Sequence, residues 1–194
     1  MKKSRAVANV SCFTFHFSLL LMLSLLLQGC EGDSSISRVD KCNFIFSYQH
    51  HPTSLLFAAV QTPGSYVFVS TKGDGKNVVR HVYVQSNDKD ATVEDNTITT
   101  ALENSYLYML GANNEIGLII GCTNFNGSVA YDRTCPNCEM LRAMQWTGNR
   151  QQVVCNYCHR IYDLETGGII EGDKGSTLRR YYCAFNGAIL KAWN

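Results

Sequence analysis

Apolar residues fall along this chain in short runs separated by polar, glycine-containing breaks, and most runs have the length of a strand. Tyr66-Val67-Phe68-Val69 follows Thr62-Pro63-Gly64, a turn signal before a β-favouring run. Val78-Val79-Arg80-His81-Val82-Tyr83-Val84 follows the glycine-rich turn Gly73-Asp74-Gly75. Ile116-Gly117-Leu118-Ile119-Ile120-Gly121-Cys122 is apolar enough for a strand buried on both faces. Residues 178–185 and 188–193 flank Asn186-Gly187, a two-residue hairpin signal. Residues 143–147 and 151–154 flank Gly148-Asn149 and can pair in the same way. Helix is expected only over 98–110, where Leu102, Tyr106 and Leu110 recur every four residues, against the poor helix formers Asn104 and Ser105. Residues 85–95 form a polar, acidic loop. Its Asp88, Asp90 and Asp95 lack calcium-loop spacing and a turn glycine, so a solvated loop is expected. The class is mainly β.

The longest apolar run, Leu19-Leu20-Leu21-Met22-Leu23-Ser24-Leu25-Leu26-Leu27, follows the basic start Lys2-Lys3-Ser4-Arg5. It is short of the roughly 20 residues a spanning helix needs and reads as a signal peptide. Its end, Leu27-Gln28-Gly29-Cys30, resembles a bacterial lipobox. That resemblance implies cleavage before Cys30, whose thiol and new amino group are acylated, and two or more acyl chains make a stable anchor. The expected division is a signal peptide at 1–29, a small polar tether at 30–40 and one domain at 41–194. The expected location is a bacterial cell envelope, lipid-anchored to a membrane and facing outside the cytoplasm. Of the 17 basic residues, Lys2, Lys3 and Arg5 lie in the leader, which has no acid, so 14 basic and 16 acidic residues follow. No polybasic stripe remains, which argues against a nucleic-acid partner. With 45% hydrophobic residues the chain is neither disordered nor polytopic.

The nine cysteines carry the candidate chemistry. Cys135-Pro136-Asn137-Cys138 and Cys155-Asn156-Tyr157-Cys158 are two C-x2-C pairs sixteen residues apart. Two residues between cysteines let one tight turn aim both sulfurs at a common point, and a hairpin between the turns can close a tetrahedron around one ion. Thiolates suit zinc, a single iron and iron–sulfur clusters alike, so donor type leaves the metal open. Two disulfides are the alternative in an exported protein. Cys122 and Cys183 lie on apolar strands and read as buried small hydrophobes, and one disulfide among Cys42, Cys122 and Cys183 stays open. His50-His51, before Pro52, are read as loop residues, His159 as a surface histidine or a donor to a sulfur, and Tyr157 as either packing over the centre or ordinary aromatic packing. No catalytic Ser/His/Asp or Cys/His set, phosphate loop or placed carboxylate pair stands out, so the chain is not expected to be an enzyme by itself.

Tyr131-Asp132 before Cys135-Pro136, Val153-Val154-Cys155, and Ile161-Tyr162-Asp163-Leu164-Glu165-Thr166-Gly167-Gly168 together resemble the cluster-binding half of a Rieske domain. Leu178-Arg179-Arg180-Tyr181 and the strand after Gly187 continue the likeness, and Pro63-Gly64-Ser65-Tyr66-Val67 is similar to the opening strand of the surrounding barrel. The resemblance implies a β-sandwich or barrel with a small rubredoxin-like metal-binding subdomain, about residues 131–163, and an insertion at 85–115. It implies one-electron transfer, a [2Fe-2S] cluster as the cofactor and an exported redox partner. The chain departs from the family where ligands are set. Rieske loops read C-x-H and C-x2-H; Asn137, with Cys138 next to it, and Cys158 stand where the histidines would be, and His159 replaces a common glycine. No proline near Gly175 matches the family's covering loop. Two functions are therefore expected from the sequence. One is an electron-transfer lipoprotein with iron or an iron–sulfur cluster on Cys135, Cys138, Cys155 and Cys158; the other is an envelope interaction module stapled by structural zinc on the same residues.

Overall fold

The computed structural model of the chain describes residues 36–73, 78–87 and 92–194. The expected signal peptide, the lipidated Cys30, half of the tether, Asp74 and Gly75 of the glycine-rich turn, and Asp88 and Asp90 lie outside them. The described residues belong to one unit, Ser35–Asn194. Its elements are β1 (Cys42–Ser47), α1 (Leu55–Gln61), β2 (Ser65–Gly73), β3 (Val79–Ser86), β4 (Glu94–Thr97), α2 (Ala101–Asn104), β5 (Met109–Leu110), β6 (Leu118–Thr123), β7 (Gly127–Asp132), β8 (Gln145–Trp146), β9 (Gln152–Val154), β10 (Ile161–Asp163), β11 (Ile169–Glu171), β12 (Arg180–Phe185) and β13 (Ile189–Trp193). The strands form an antiparallel nine-stranded sheet, ordered β4-β3-β2-β6-β7-β12-β13-β1-β5, and a four-stranded sheet, ordered β11-β10-β9-β8. No helix among the described residues is long and apolar enough to cross a membrane.

Alternation along the middle strands sorts side chains into two cores. Val67 and Val69 of β2, Leu118 and Ile120 of β6 and Ala130 of β7 face a first core with Phe44, Phe46 and the helix residues Leu56, Phe57, Ala59 and Val60. Tyr66, Phe68, Ile119, Val129 and Tyr131 point the other way, into a second core shared with the small sheet. Every residue of β6 is buried, as its continuous apolar run predicts. Helix α1 is too short to be stable alone. Packing holds it against β2 and β6, and Ser54 caps it by accepting from the Leu56 N–H. Each large apolar side chain buried this way contributes about 1.5–3 kcal/mol.

The helix expected over 98–110 shrinks to α2, four residues long. Thr100 caps it by accepting from the Glu103 N–H (3.2 Å), and the buried Glu103 carboxylate takes His50 Nδ1 at 3.2 Å and His51 Nε2 at 3.0 Å. Anchoring Glu103 inward leaves Leu102 59% exposed, and Leu110 leaves the helical path to pair with Cys42 in β5. The four-residue recurrence thus marks no common face. His50 and His51 have structural work in this clamp. The hairpin between β12 and β13 forms, with its tip one residue later than expected. Gly187 takes φ 90°, and the Asn186 side-chain oxygen accepts from the Ala188 and Ile189 N–H groups.

Cys42, Cys122 and Cys183 are free. Cys122 on β6 and Cys183 on β12 have β7 between them, and β13 lies between Cys42 and Cys183. An intervening strand separates such residues by about 10 Å, beyond the reach of a disulfide. The residues at 36–40 already touch the large sheet. Ser37 N–H donates to the Arg180 carbonyl (2.7 Å), and Asp40 pairs with Arg179 at 2.6 Å.

Candidate metal centre

The first cysteine pair leaves β7 at Asp132, a fully buried carboxylate that fixes the chain as it turns. Its Oδ1 accepts from the Thr134 N–H (2.8 Å) and hydroxyl (2.5 Å), and its Oδ2 from the Ala112 N–H (2.8 Å) and the Tyr181 hydroxyl (2.9 Å). Cys135 N–H then donates to the Arg142 carbonyl (2.8 Å), closing a loop around Pro136–Leu141. The second pair tops the β9–β10 hairpin, where Val154 pairs with Ile161. Cys155 N–H donates to the Arg160 carbonyl (3.0 Å), and His159 N–H donates back to the Cys155 carbonyl (2.8 Å). That return needs a left-handed residue after the second cysteine, and His159 supplies it with φ 58°. The two loops are joined by the β8–β9 hairpin, in which Gln145 pairs with Val154 and Trp146 with Val153. Phe68 of the large sheet stacks on Trp146 at 3.8 Å, and the Arg133 guanidinium covers the other side of Phe68 at 3.8 Å.

These turns bring Cys135, Cys138, Cys155 and Cys158 together, with all four sulfurs within 4.8 Å of one another. Across the loops, Cys135 Sγ lies 3.6 Å from Cys158 Sγ and Cys138 Sγ lies 3.7 Å from Cys155 Sγ. Metal–sulfur bonds of about 2.3 Å place tetrahedral ligands about 3.8 Å apart, so this donor set fits a metal ion. Those contacts are well beyond a disulfide bond of about 2.05 Å, and all four cysteines are free. Cys135 and Cys155 are buried; Cys138 and Cys158 are half-buried.

Polar groups around the sulfurs differ. Burial raises the Cys135 thiol above its ordinary value, against hydrogen bonds from Tyr162 and the Asn137 N–H. Burial and the neighbouring sulfurs raise Cys138 as well. Burial also pushes Cys158 upward, but the N–H and guanidinium of Arg160 outweigh it and bring that thiol down to about 6. Tyr162 O–H lies 3.5 Å from Cys135 Sγ and accepts from Asn137 Nδ2 at 2.8 Å.

Tyr157 does not cover the sulfurs from within; it is 66% exposed, and the Arg142 guanidinium stacks on it at 4.5 Å. The His159 side chain is exposed. Sequence reasoning placed the four cysteines but passed over Asn137, Arg160 and Asp132 as working parts. Asp132 stood beside the first pair with no local signal that Ala112 and Tyr181 would converge on it.

No family model matches the chain, and neither a curated protein nor a solved structure does.

Proposed function

We propose that this chain is an exported lipoprotein, anchored at Cys30 in a bacterial cell envelope, whose Rieske-like β domain holds one metal ion on four thiolates and carries single electrons. The observation that carries the reading is the convergence of Cys135, Cys138, Cys155 and Cys158 within 4.8 Å at the end of the small sheet. Iron on four thiolates supplies a one-electron couple. Half-exposed Cys138 and Cys158, with the exposed Met140, Leu141 and Tyr157 close to them in sequence, support exchange with an exported redox partner. A closed four-sulfur set leaves no position for a substrate, which speaks against an enzyme.

Kinship to Rieske domains belongs to this proposal, supported by the motif likeness and by two metal loops set on a small sheet. In that family's arrangement, positions 135 and 155 would share one iron and 138 and 158 the other. The spans Cys135–Cys158 and Cys138–Cys155 would then cross a two-iron cluster, yet 3.6 and 3.7 Å are edges of a single tetrahedron. The spacing therefore favours a single iron over [2Fe-2S].

A structural zinc is the second reading, favoured by Cys135 and Cys155. Both are at most 1% exposed and belong to the second core, where an ion ties the first loop to the β9–β10 hairpin. Purification under anaerobic conditions with elemental analysis separates the two. A red protein with one iron, bleached reversibly on reduction, supports electron carriage. A colourless protein with one zinc overturns it in favour of the staple, and a metal-free protein with two disulfides overturns both. For the anchor, Cys30→Ser is expected to lose acyl labelling and leave the membrane fraction; membrane retention without acylation refutes that part.

A further inference from the structure

Between Glu171 and Leu178 the chain crosses the surface as an exposed segment with no regular structure. Leu178 is fixed below it, buried in the second core with its N–H on the Gly167 carbonyl at 2.8 Å. Two side chains hold the segment down. Asn137 donates from Nδ2 to the Ser176 carbonyl (2.7 Å) and accepts at Oδ1 from the Ser176 N–H (2.8 Å). Arg160 donates from Nε to the Asp173 carbonyl (2.9 Å) and from Nη2 to the Lys174 carbonyl (3.3 Å). A Cβ built on Gly175 would overlap the Asn137 carboxamide, so glycine lets the segment lie this close.

Both holding residues belong to the cysteine loops. Asn137 sits between Cys135 and Cys138, and Arg160 follows Cys158 by two residues and hydrogen-bonds its sulfur. Their positions are set by the same two turns that set the sulfurs. We infer that residues 172–177 form a strap fastened by metal occupancy: closed while an ion holds the two loops together, and released when the ion is lost. The inference rests on the metal reading above and adds a consequence to it. The metal state becomes a change of surface shape, an order-to-disorder switch that a protease or a partner can sense.

Lys174 makes this measurable, because trypsin cuts after lysine only where the backbone can open. The full chain would be digested in its metal-loaded form and after reduction and chelation, with the metal content of each sample measured. Loss of the ion is expected to speed cleavage after Lys174 by about tenfold or more, following the population of the open segment, while cleavage after Lys191 in β13 changes little. Gly175→Ala lifts the strap by pressing its new methyl against the Asn137 carboxamide, while all four thiolates, Asn137 and Arg160 keep their identity. It is expected to keep one ion per chain and to be cut as fast as the metal-free parent. Equal cleavage of loaded and metal-free parent, or a loaded Gly175→Ala protein as resistant as the parent, overturns the strap. Failure of the parent to take up any ion overturns the metal reading instead.

Discussion

Asp132 offers a sharp test of how the first cysteine loop is built. Its two oxygens accept four hydrogen bonds, and the carboxylate itself is 0% exposed. Asp132→Ala removes all four acceptor contacts together and strands two main-chain donors, those of Ala112 and Thr134. Stranding the buried Thr134 donor costs about 1–3 kcal/mol, and the half-buried Ala112 donor falls at the low end of that range. The removed carboxylate no longer has to be desolvated, which offsets part of the loss, and Arg179 keeps Asp40 as its partner. A net loss of about 4 kcal/mol follows, a large share of the 5–15 kcal/mol typical of a domain. Asp132→Asn retains one acceptor oxygen, and the Tyr181 hydroxyl can turn to accept from the new amide, so about half that loss is expected. Urea unfolding followed by circular dichroism at saturating metal reads both. With a slope of about 2 kcal/mol/M, Asp132→Ala moves the midpoint down by about 2 M and Asp132→Asn by about 1 M. A shift below about 0.5 M for the alanine variant would show that these contacts are replaced by solvent, and the account of this turn would be wrong.

Cys155→Ser is expected to abolish stoichiometric metal binding and to loosen residues 135–160 in hydrogen exchange, because small thiolate–metal units derive about 10 kcal/mol of folding free energy from the ion. Cys183→Ser, on the far sheet, should leave the metal content unchanged; equal metal loss in both variants would refute the assignment. Burial pushes the thiols of Cys42 and Cys183 up to about 12 from an ordinary 9.0. The folded state therefore keeps protons that the unfolded state releases above pH 9, and stability falls as pH rises from 9 towards 12. A Cys42→Ala, Cys183→Ala double variant should lose stability less steeply over that window, and an unchanged slope in urea titrations at pH 8.5 to 10.5 would contradict this.

What could be read in advance was what is local. The C-x2-C pairs announce themselves because covalent spacing alone aims two sulfurs, and the runs at β2, β3 and β6 announce strands because their pattern is set by burial of their own faces. Asn186-Gly187 located its hairpin because only glycine takes the turn cheaply. Two elements gave no usable signal. Leu55–Gln61 is a seven-residue apolar stretch, short enough to be strand or helix, and its choice is made by the large-sheet face that receives Leu56 and Val60. Cys42–Ser47 alternates well, but its place between β13 and β5 depends on chain far away. The expected helix at 98–110 failed for a related reason, since the partners of Glu103, His50 and His51, come from some fifty residues earlier. Asn137 and Arg160 acquire their roles only when Asp173–Ser176 is folded over them.

The place of β1 governs when the molecule can assemble. Phe44 and Phe46 need β13 beside them, with Phe44 opposite Ala192 and Phe46 opposite Leu190. The last residue also closes over the start of the unit: Asn194 accepts from the Cys42 N–H and donates to the carbonyls of Ser37 and Asp40. Until β13 is made, β1 has only the two-residue β5 beside it, and nearly the whole intervening chain must be gathered before its aromatic residues dock. Such long-range pairing slows folding and leaves the aromatic edge of β1 open in the interim. Completion of the large sheet therefore waits on joining β1 to β13, strands from opposite ends of the described unit, rather than on any local hairpin.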